Sequence, residues 1–317
     1  MSWSLRNVEH SDVVDAPAER LYDLVSDVTR WPVIFGPCVY ARRLEQTDDA
    51  ERIELWAQTN GQVKSWTSRR VLDAAGHRVS FRQERTAAPI AAMSGEWSFP
   101  AVGDERTKML LKHGFSAVDD DAGALEWITT AVDRNSVQEL NALGRVAALD
   151  HPVDDIVFSF EDRLEIPGAS AARAYDFVSR SDLWPQRLPH VDHVDLRESP
   201  GGVQEMTMDT VTPDGLRHTT KSIRVCFPRE RIVYKQTILP DLLSGHSGVW
   251  EFADVAGQLV ISSRHTVAVD PSAIDGVLGP GTTLAAARDY IRGALGANSR
   301  TTMSAAGEYA ARAAYPA

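Results

Sequence analysis

Hydrophobic and polar residues alternate along this chain with two distinct periods. Ile156, Phe158, Phe160, Leu164 and Ile166 alternate with Ser159, Glu161, Arg163 and Glu165, the period of two that predicts a half-buried strand. Leu21, Leu24, Val25 and Val28 stand at i, i+3, i+4 and i+7, one face of a helix. Asp15 is placed to cap that helix, with Pro17 in its first turn. Trp31-Pro32 is expected to stop it, because the residue before a proline avoids the α region. Ala174, Phe177 and Val178 repeat the helical face, with Ser170 as cap. Several strands follow in each half, separated by turns such as Asp73-Ala74-Ala75-Gly76 and Pro213-Asp214-Gly215. Each half ends in a long helix, predicted over 125–149 and 282–311. Leu284, Ala287, Arg288, Ile291 and Leu295 form one stripe of the second.

The two halves are copies. Trp31-Pro32 recurs as Trp184-Pro185, 153 residues later, and Gly95-Glu96-Trp97-Ser98-Phe99 recurs as Gly248-Val249-Trp250-Glu251-Phe252 at the same offset. Ser68-Arg69-Arg70-Val71 matches Ser222-Ile223-Arg224-Val225, and Lys112-His113 matches Arg264-His265. Such a period is too long for a solenoid and fits a duplicated domain. The expected domains are 1–150 and 151–317, joined at a short polar stretch around His151-Pro152. That joint is too short for a free linker. Strand, short helix, antiparallel strands and long helix in that order read as α+β, a curved sheet gripping the long helix around a cavity.

Alternation sorts the faces. Trp66, Ser68 and Arg70 share one face of their strand and are assigned inward, which turns Arg69 outward. Phe81 and Gln83, then Met93, Gly95 and Trp97, then Met109, Leu111 and His113 share the inward faces of the next three. The second copy offers Ser222 and Arg224, Tyr234 and Gln236, Gly248 and Trp250, and His265. Aromatic and aliphatic walls with a few polar groups are the make-up of a ligand pocket. The plainer alternatives are a structural ion pair between Arg70 and a carboxylate on the long helix, and satisfied sheet histidines at His113 and His265.

Of the 317 residues, 43% are hydrophobic and 24% charged, the balance of a globular protein with a sizeable core. No apolar run is long enough to span a membrane, and the first ten residues have no signal-like apolar region. Two distant cysteines, Cys38 and Cys226, suggest neither zinc nor a disulfide framework and fit the cytoplasm. The formal net charge is −11 and neither half is basic, which argues against nucleic acid as a partner. There is no Gly-rich phosphate loop, no nucleophile elbow and no metal-ligand spacing; His190 and His193 lie on a loop without a third ligand. No metal and no cofactor are expected.

The ordered set Trp31-Pro32-x-x-Phe35, Trp66-x-Ser68-x-Arg70, Met93-x-x-x-Trp97 and a long terminal helix resembles the aromatase/cyclases of bacterial type II polyketide synthases. These are helix-grip proteins of the START-like and birch-pollen-allergen-like superfamily. The duplication is similar to their di-domain subgroup, over essentially the whole chain. The resemblance implies an enzyme that binds a poly-β-ketone tethered to an acyl carrier protein and promotes first-ring aldol closure and dehydrative aromatisation. For the di-domain subgroup it implies closure between carbons seven and twelve of a chain reduced at the ninth carbon. With Ser68 and Arg70 carried over as pocket residues and His113 inward by alternation, Arg70, Ser68 and His113 are the candidate catalytic residues. Trp31, Phe35, Trp66, Phe81, Gln83, Met93, Trp97, Met109, Asn135 and Ser136 are then expected to bind substrate. Cys38 stands where single-domain members often carry a tyrosine, so proton donation must come from elsewhere.

The second pocket, with Trp184, Ser222, Arg224, Tyr234, Gln236, Trp250 and His265, lacks the Phe after Trp-Pro, has Thr220 for Trp66, and replaces Met93 within a loop over 243–246. It is expected to be smaller or more polar. Arg42, Arg43, Arg69, Arg82 and Arg85 are candidates for guiding an acidic carrier protein. The competing reading is a lipid or quinone carrier of the same fold without catalysis.

Overall fold

The structure, a computed structural model, describes residues 5–103, 105–211 and 217–312; the Pro213-Asp214-Gly215 turn lies outside them. The chain divides into two compact units, Met1–Val153 and Asp154–Ala317.

The first unit runs β1 (Arg6–Asp15), α1 (Ala18–Ser26), α2 (Trp31–Ile34), β2 (Cys38–Gln46), β3 (Ala50–Thr59), β4 (Gln62–Asp73), β5 (Arg78–Arg85), β6 (Ile90–Ser98), β7 (Arg106–Ala117) and α3 (Ala122–Ala147). Strands β2 to β7 form an antiparallel meander and β1 pairs with β7, giving the order β1-β7-β6-β5-β4-β3-β2. Asn60 and Gly61, both at positive φ, join β3 to β4 in a two-residue hairpin. A single helical turn, α4 (Val153–Ile156), spans the boundary into the second unit. That unit continues with β8 (Val157–Pro167), α5 (Ala171–Ser179), α6 (Trp184–Arg187), β9 (Val191–Ser199), β10 (Val203–Val211), β11 (Arg217–Phe227), β12 (Arg231–Ile238), β13 (Leu243–Val255), β14 (Gln258–Val269), α7 (Ile274–Leu278) and α8 (Leu284–Ala311). Its sheet repeats the order of the first, β8-β14-β13-β12-β11-β10-β9. No described helix is long and apolar enough to cross a membrane.

Local chemistry departs from the sequence expectations in several places. Asp15 does not cap α1. It closes β1, where its carboxylate meets Arg106 of the neighbouring strand at 3.2 Å, and Pro17 occupies the cap position. Trp31-Pro32 starts α2 rather than stopping α1, which already ends at Ser26; a proline in the first turn sacrifices no helical hydrogen bond. Ser170 precedes α5 without a side-chain cap, and the Ala171 N–H donates to Asp254 instead. Residues 243–246 are the start of β13 rather than a loop.

Leu21, Leu24, Val25 and Val28 are fully buried, as are Phe115, Ile128 and Leu143. Burial of each such side chain contributes roughly 1.5–3 kcal/mol. Helix α3 is capped by Asp121, whose carboxylate accepts from the Ala124 N–H at 2.5 Å. It crosses the sheet closely at Gly144, where a Cβ would lie 3.2 Å from Met109 Cε. Met109 is therefore packed beneath the helix, 1% exposed, as core. Farther along β7, sheet and helix separate and leave a cavity.

Candidate active site

The cavity of the first unit encloses about 1220 Å³ of non-protein space, part of it open to solvent at the mouth. Among the residues expected to line it, Trp31, Phe35, Trp66, Ser68, Arg70, Phe81, Gln83, Met93, Trp97, His113, Asn135 and Ser136 do so. Met109 does not; the contact with Gly144 removes it from the wall. Ile53, Leu55, Ile128 and Val132 complete apolar walls, and Cys38 lines the cavity near Phe35. The repeated Gly-x-Trp has a steric cause. Phe81 lies on Gly95 so closely that a Cβ there would come 2.4 Å from the ring, and Tyr234 lies on Gly248 in the same way.

Arg70 is 1% exposed, and its guanidinium lies 4.9 Å over the Trp31 ring. One terminal nitrogen donates to Glu51 Oε1 at 2.6 Å and to the Ser26 carbonyl at 3.3 Å; the other donates to the Val25 carbonyl at 2.6 Å. Glu51 stands directly opposite Arg70 on β3 and also accepts from Arg43 at 2.7 Å. The ion-pair partner is thus a strand residue, not one on the long helix. Both terminal nitrogens of Arg70 are already engaged, and its Nε has no partner. Burial lowers its pKa to about 10, partly offset by Glu51, so it stays charged at neutral pH.

Other buried polar atoms in this wall also lack partners: Gln83 Oε1, His113 Nδ1 and Ser136 Oγ. Gln83 Nε2 reaches Met93 Sδ at 3.4 Å, and Asn135 Nδ2 donates to the Gln58 carbonyl at 3.5 Å. Buried polar atoms normally find partners, because an unmade hydrogen bond costs about 1–3 kcal/mol. His113 is pushed down to about 4 by burial and, to a lesser extent, by His10, and is therefore neutral near pH 7. Phe81 meets it edge-on at 5.5 Å. Glu139, which lines the same cavity, went unnoticed in the sequence; burial pushes its carboxyl group up to about 7. Its signal was its place three residues beyond Ser136, on the same helix face.

The interior of the second unit is arranged differently. Arg224 donates to Ser181 Oγ and to the Val178 carbonyl, both at 2.7 Å, and lies 5.5 Å over Trp184. Gln204 replaces Glu51 opposite it. Tyr234, Gln236 and His265 are brought together with two residues the sequence reading passed over, His246 and Ser299. His246 Nδ1 meets Gln236 Oε1 at 2.8 Å and its Nε2 meets His265 Nδ1 at 2.9 Å. Tyr234 Oη lies 3.2 Å from His265 Nδ1, and His265 Nε2 lies 2.6 Å from Ser299 Oγ. Burial lowers both imidazole pKa values, that of His265 to about 4. Trp250 is buried in the same core, while Ser222 Oγ is left unpartnered.

Residues 14–140 match the family described as polyketide cyclase/dehydrase and lipid transport. The chain is 49% identical over 313 residues to the granaticin polyketide synthase bifunctional cyclase/dehydratase of Streptomyces violaceoruber, covering 98% of this chain and 96% of the relative. It is 48% identical over 320 residues to the actinorhodin polyketide synthase bifunctional cyclase/dehydratase of Streptomyces coelicolor, covering 98% and 97%. Among solved structures it is similar to the di-domain ARO/CYC BexL from the BE-7585A biosynthetic pathway. The TM-score there is 0.81 at 48% identity, over 96% of this chain and 98% of that one. The apolar cavity between sheet and long helix is thus the interior of a helix-grip enzyme, and the chain belongs to the di-domain polyketide cyclase/dehydratases, enzymes of ring closure and dehydration that work on polyketide intermediates.

Proposed function

We propose that the first unit's cavity receives a poly-β-ketone tethered to an acyl carrier protein. It closes the first ring between carbons seven and twelve of a chain reduced at the ninth carbon, and water is then lost to give the aromatic ring. The observation that carries this reading is the set of unpartnered polar atoms on apolar walls: Arg70 Nε, Gln83 Oε1, His113 Nδ1 and Ser136 Oγ. These four line an open cavity, where water or ligand must meet them, and a chain with a carbonyl on every second carbon supplies partners along its length.

Folding the chain against Trp31, Trp66 and Trp97 converts ring closure into a positioned intramolecular aldol step, which can remove several kcal/mol from its barrier. The Arg70 charge, fixed by Glu51 and two backbone carbonyls, needs no reorganisation as negative charge develops on an enolate or alkoxide oxygen, and its Nε–H is the donor. Ser68, beside Arg70, and neutral His113 share the remaining hydrogen bonds to substrate oxygen. The apolar walls exclude water from a reactive chain. Positive side chains on the sheet, Arg69, Arg82 and Arg85 among them, guide the acidic carrier protein.

The test is product analysis after incubation with a carrier-bound chain reduced at the ninth carbon. The reading expects the ring closed between carbons seven and twelve. The mixture formed without enzyme would contradict it. Salt-insensitive turnover would count against docking by charge.

A further inference from the structure

The reading above leaves two charged side chains of the cavity wall without a role, Lys64 of β4 and Glu139 of α3. Glu139 stands on α3 on the face that Val132, Asn135 and Ser136 turn to the cavity. It is the only carboxylate among the lining residues. The nearby Glu51 is already held between Arg70 and Arg43. Lost hydration accounts for the upward displacement of the Glu139 carboxyl group, to about 7. Glu139 is half-buried, and a carboxyl group drawn partly out of water against apolar walls lowers stability, so an apolar side chain there would be no less stable. The second unit has no carboxyl group at the equivalent position. Three residues beyond its Asn298-Ser299 pair stands Thr302, whose hydroxyl donates to the Asn298 carbonyl at 3.1 Å. The carboxyl group thus occurs in the same cavity as the unpartnered polar atoms.

We propose that Glu139 is the catalytic residue that moves protons in both ring closure and dehydration, taking them from the reacting carbon and delivering them to oxygen. The assignment rests on the cyclase reading of this cavity. In ring closure the carboxylate removes a proton from a methylene carbon flanked by two carbonyls, and the C–H electron pair becomes the enolate. The enolate carbon forms the new bond to the distant ketone carbon, whose π pair becomes an alkoxide. The alkoxide takes the proton from the Glu139 acid. In dehydration the regenerated carboxylate removes the second proton of the same methylene carbon. The freed pair forms the double bond as the C–O bond breaks, and the departing hydroxide takes the proton from Glu139 and leaves as water. Two protons pass through one carboxyl group, which ends ionised as it began. A group half ionised near neutral pH serves in both directions.

The test compares wild type, Glu139→Gln and Glu139→Leu on a linear poly-β-ketone thioester, with kcat, KM, pH–rate profile and melting temperature measured for each. Glu139→Gln is expected to lower kcat by about 10²–10⁴-fold with KM little changed. It should also abolish the rise of rate through pH 7 expected of the wild type. Both variants should melt at or above the wild-type temperature. A Glu139→Gln protein with wild-type rate and profile overturns the proposal and leaves the cyclase reading standing. A variant that melts lower and loses kcat and KM together marks a structural role and also overturns it. A wild-type protein that yields no ring overturns both.

Discussion

The two units share one fold and one arginine, yet around their equivalent histidines the interiors treat polar atoms in opposite ways. Opposite Arg70 stands Glu51, and opposite Arg224 stands Gln204. Phe81 and Met93 of the first unit correspond to Tyr234 and His246 of the second. Those two replacements supply hydrogen-bonding groups to His265, and Ser299 takes up its other nitrogen. In the first unit the matching His113 Nδ1 and Ser136 Oγ are without partners beside an open cavity. The lesson is one of location: duplication copied the scaffold, while a few substitutions decided whether its interior bonds to itself or to a ligand. A buried network satisfied from within has less to offer a substrate.

The largest expected effect separates the arginines. Arg70→Ala should reduce ring closure by about 10²–10³-fold, the usual loss of an oxyanion donor. Arg224→Ala should cost clearly less, measured as product formed per folded protein with circular dichroism as the fold control. Breaking the buried Arg70–Glu51 pair also destabilises by about 3–5 kcal/mol, softened by the Arg43 contact that Glu51 retains. Lysine at 70 should rescue only in part, because it cannot reproduce the bonds to Glu51 and both backbone carbonyls.

The serines give a smaller effect of contrasting sign. Ser299→Ala strips a partner from His265 and should cost about 1–3 kcal/mol in denaturant unfolding. Ser136→Ala removes a hydroxyl that had no partner and should be neutral or stabilising. Equal losses at both positions would erase the distinction between the two interiors.

Acidification gives the smallest. Folded His113, His246 and His265 lie below their ordinary pKa of 6.5, so the unfolded chain takes up protons first. The stability they hold is present above about pH 6.5 and drains as pH falls toward 4. Glu139 works the other way: its folded pKa is raised from 4.5, so its contribution is present below 4.5 and is lost as pH rises through about 7. The second unit, with two stacked imidazoles and no such carboxyl group among its described residues, should lose hydrogen-exchange protection in β14 more steeply between pH 7 and 4.5 than the first loses in β7.

Much of this was legible in the sequence because strand alternation is strict. It turned Ser68 and Arg70 inward and Arg69 outward, and the repeat located the equivalent strand of the second unit. What stayed hidden depended on distances between elements. Glu51 pairs with Arg70 through strand register, which no spacing along the chain reveals. Met109 shares a face with His113, but only the crossing at Gly144 shows that the wall has closed there. His246 was passed over because 243–246 lacks a clean alternation, although it lies 153 residues after Met93. Glu139 is one charge among several on a long helix, and only the packing of α3 against the sheet shows that it faces the cavity.

The most direct test of the central claim, that the first interior is the one left open for substrate, is nitrogen NMR of the histidine side chains during titration with an unreactive poly-β-ketone mimic. The account predicts that His113 Nδ1 shifts on binding while the His246 and His265 resonances stay in place. Movement of the His246–His265 pair with His113 unchanged would contradict it and place substrate in the second unit.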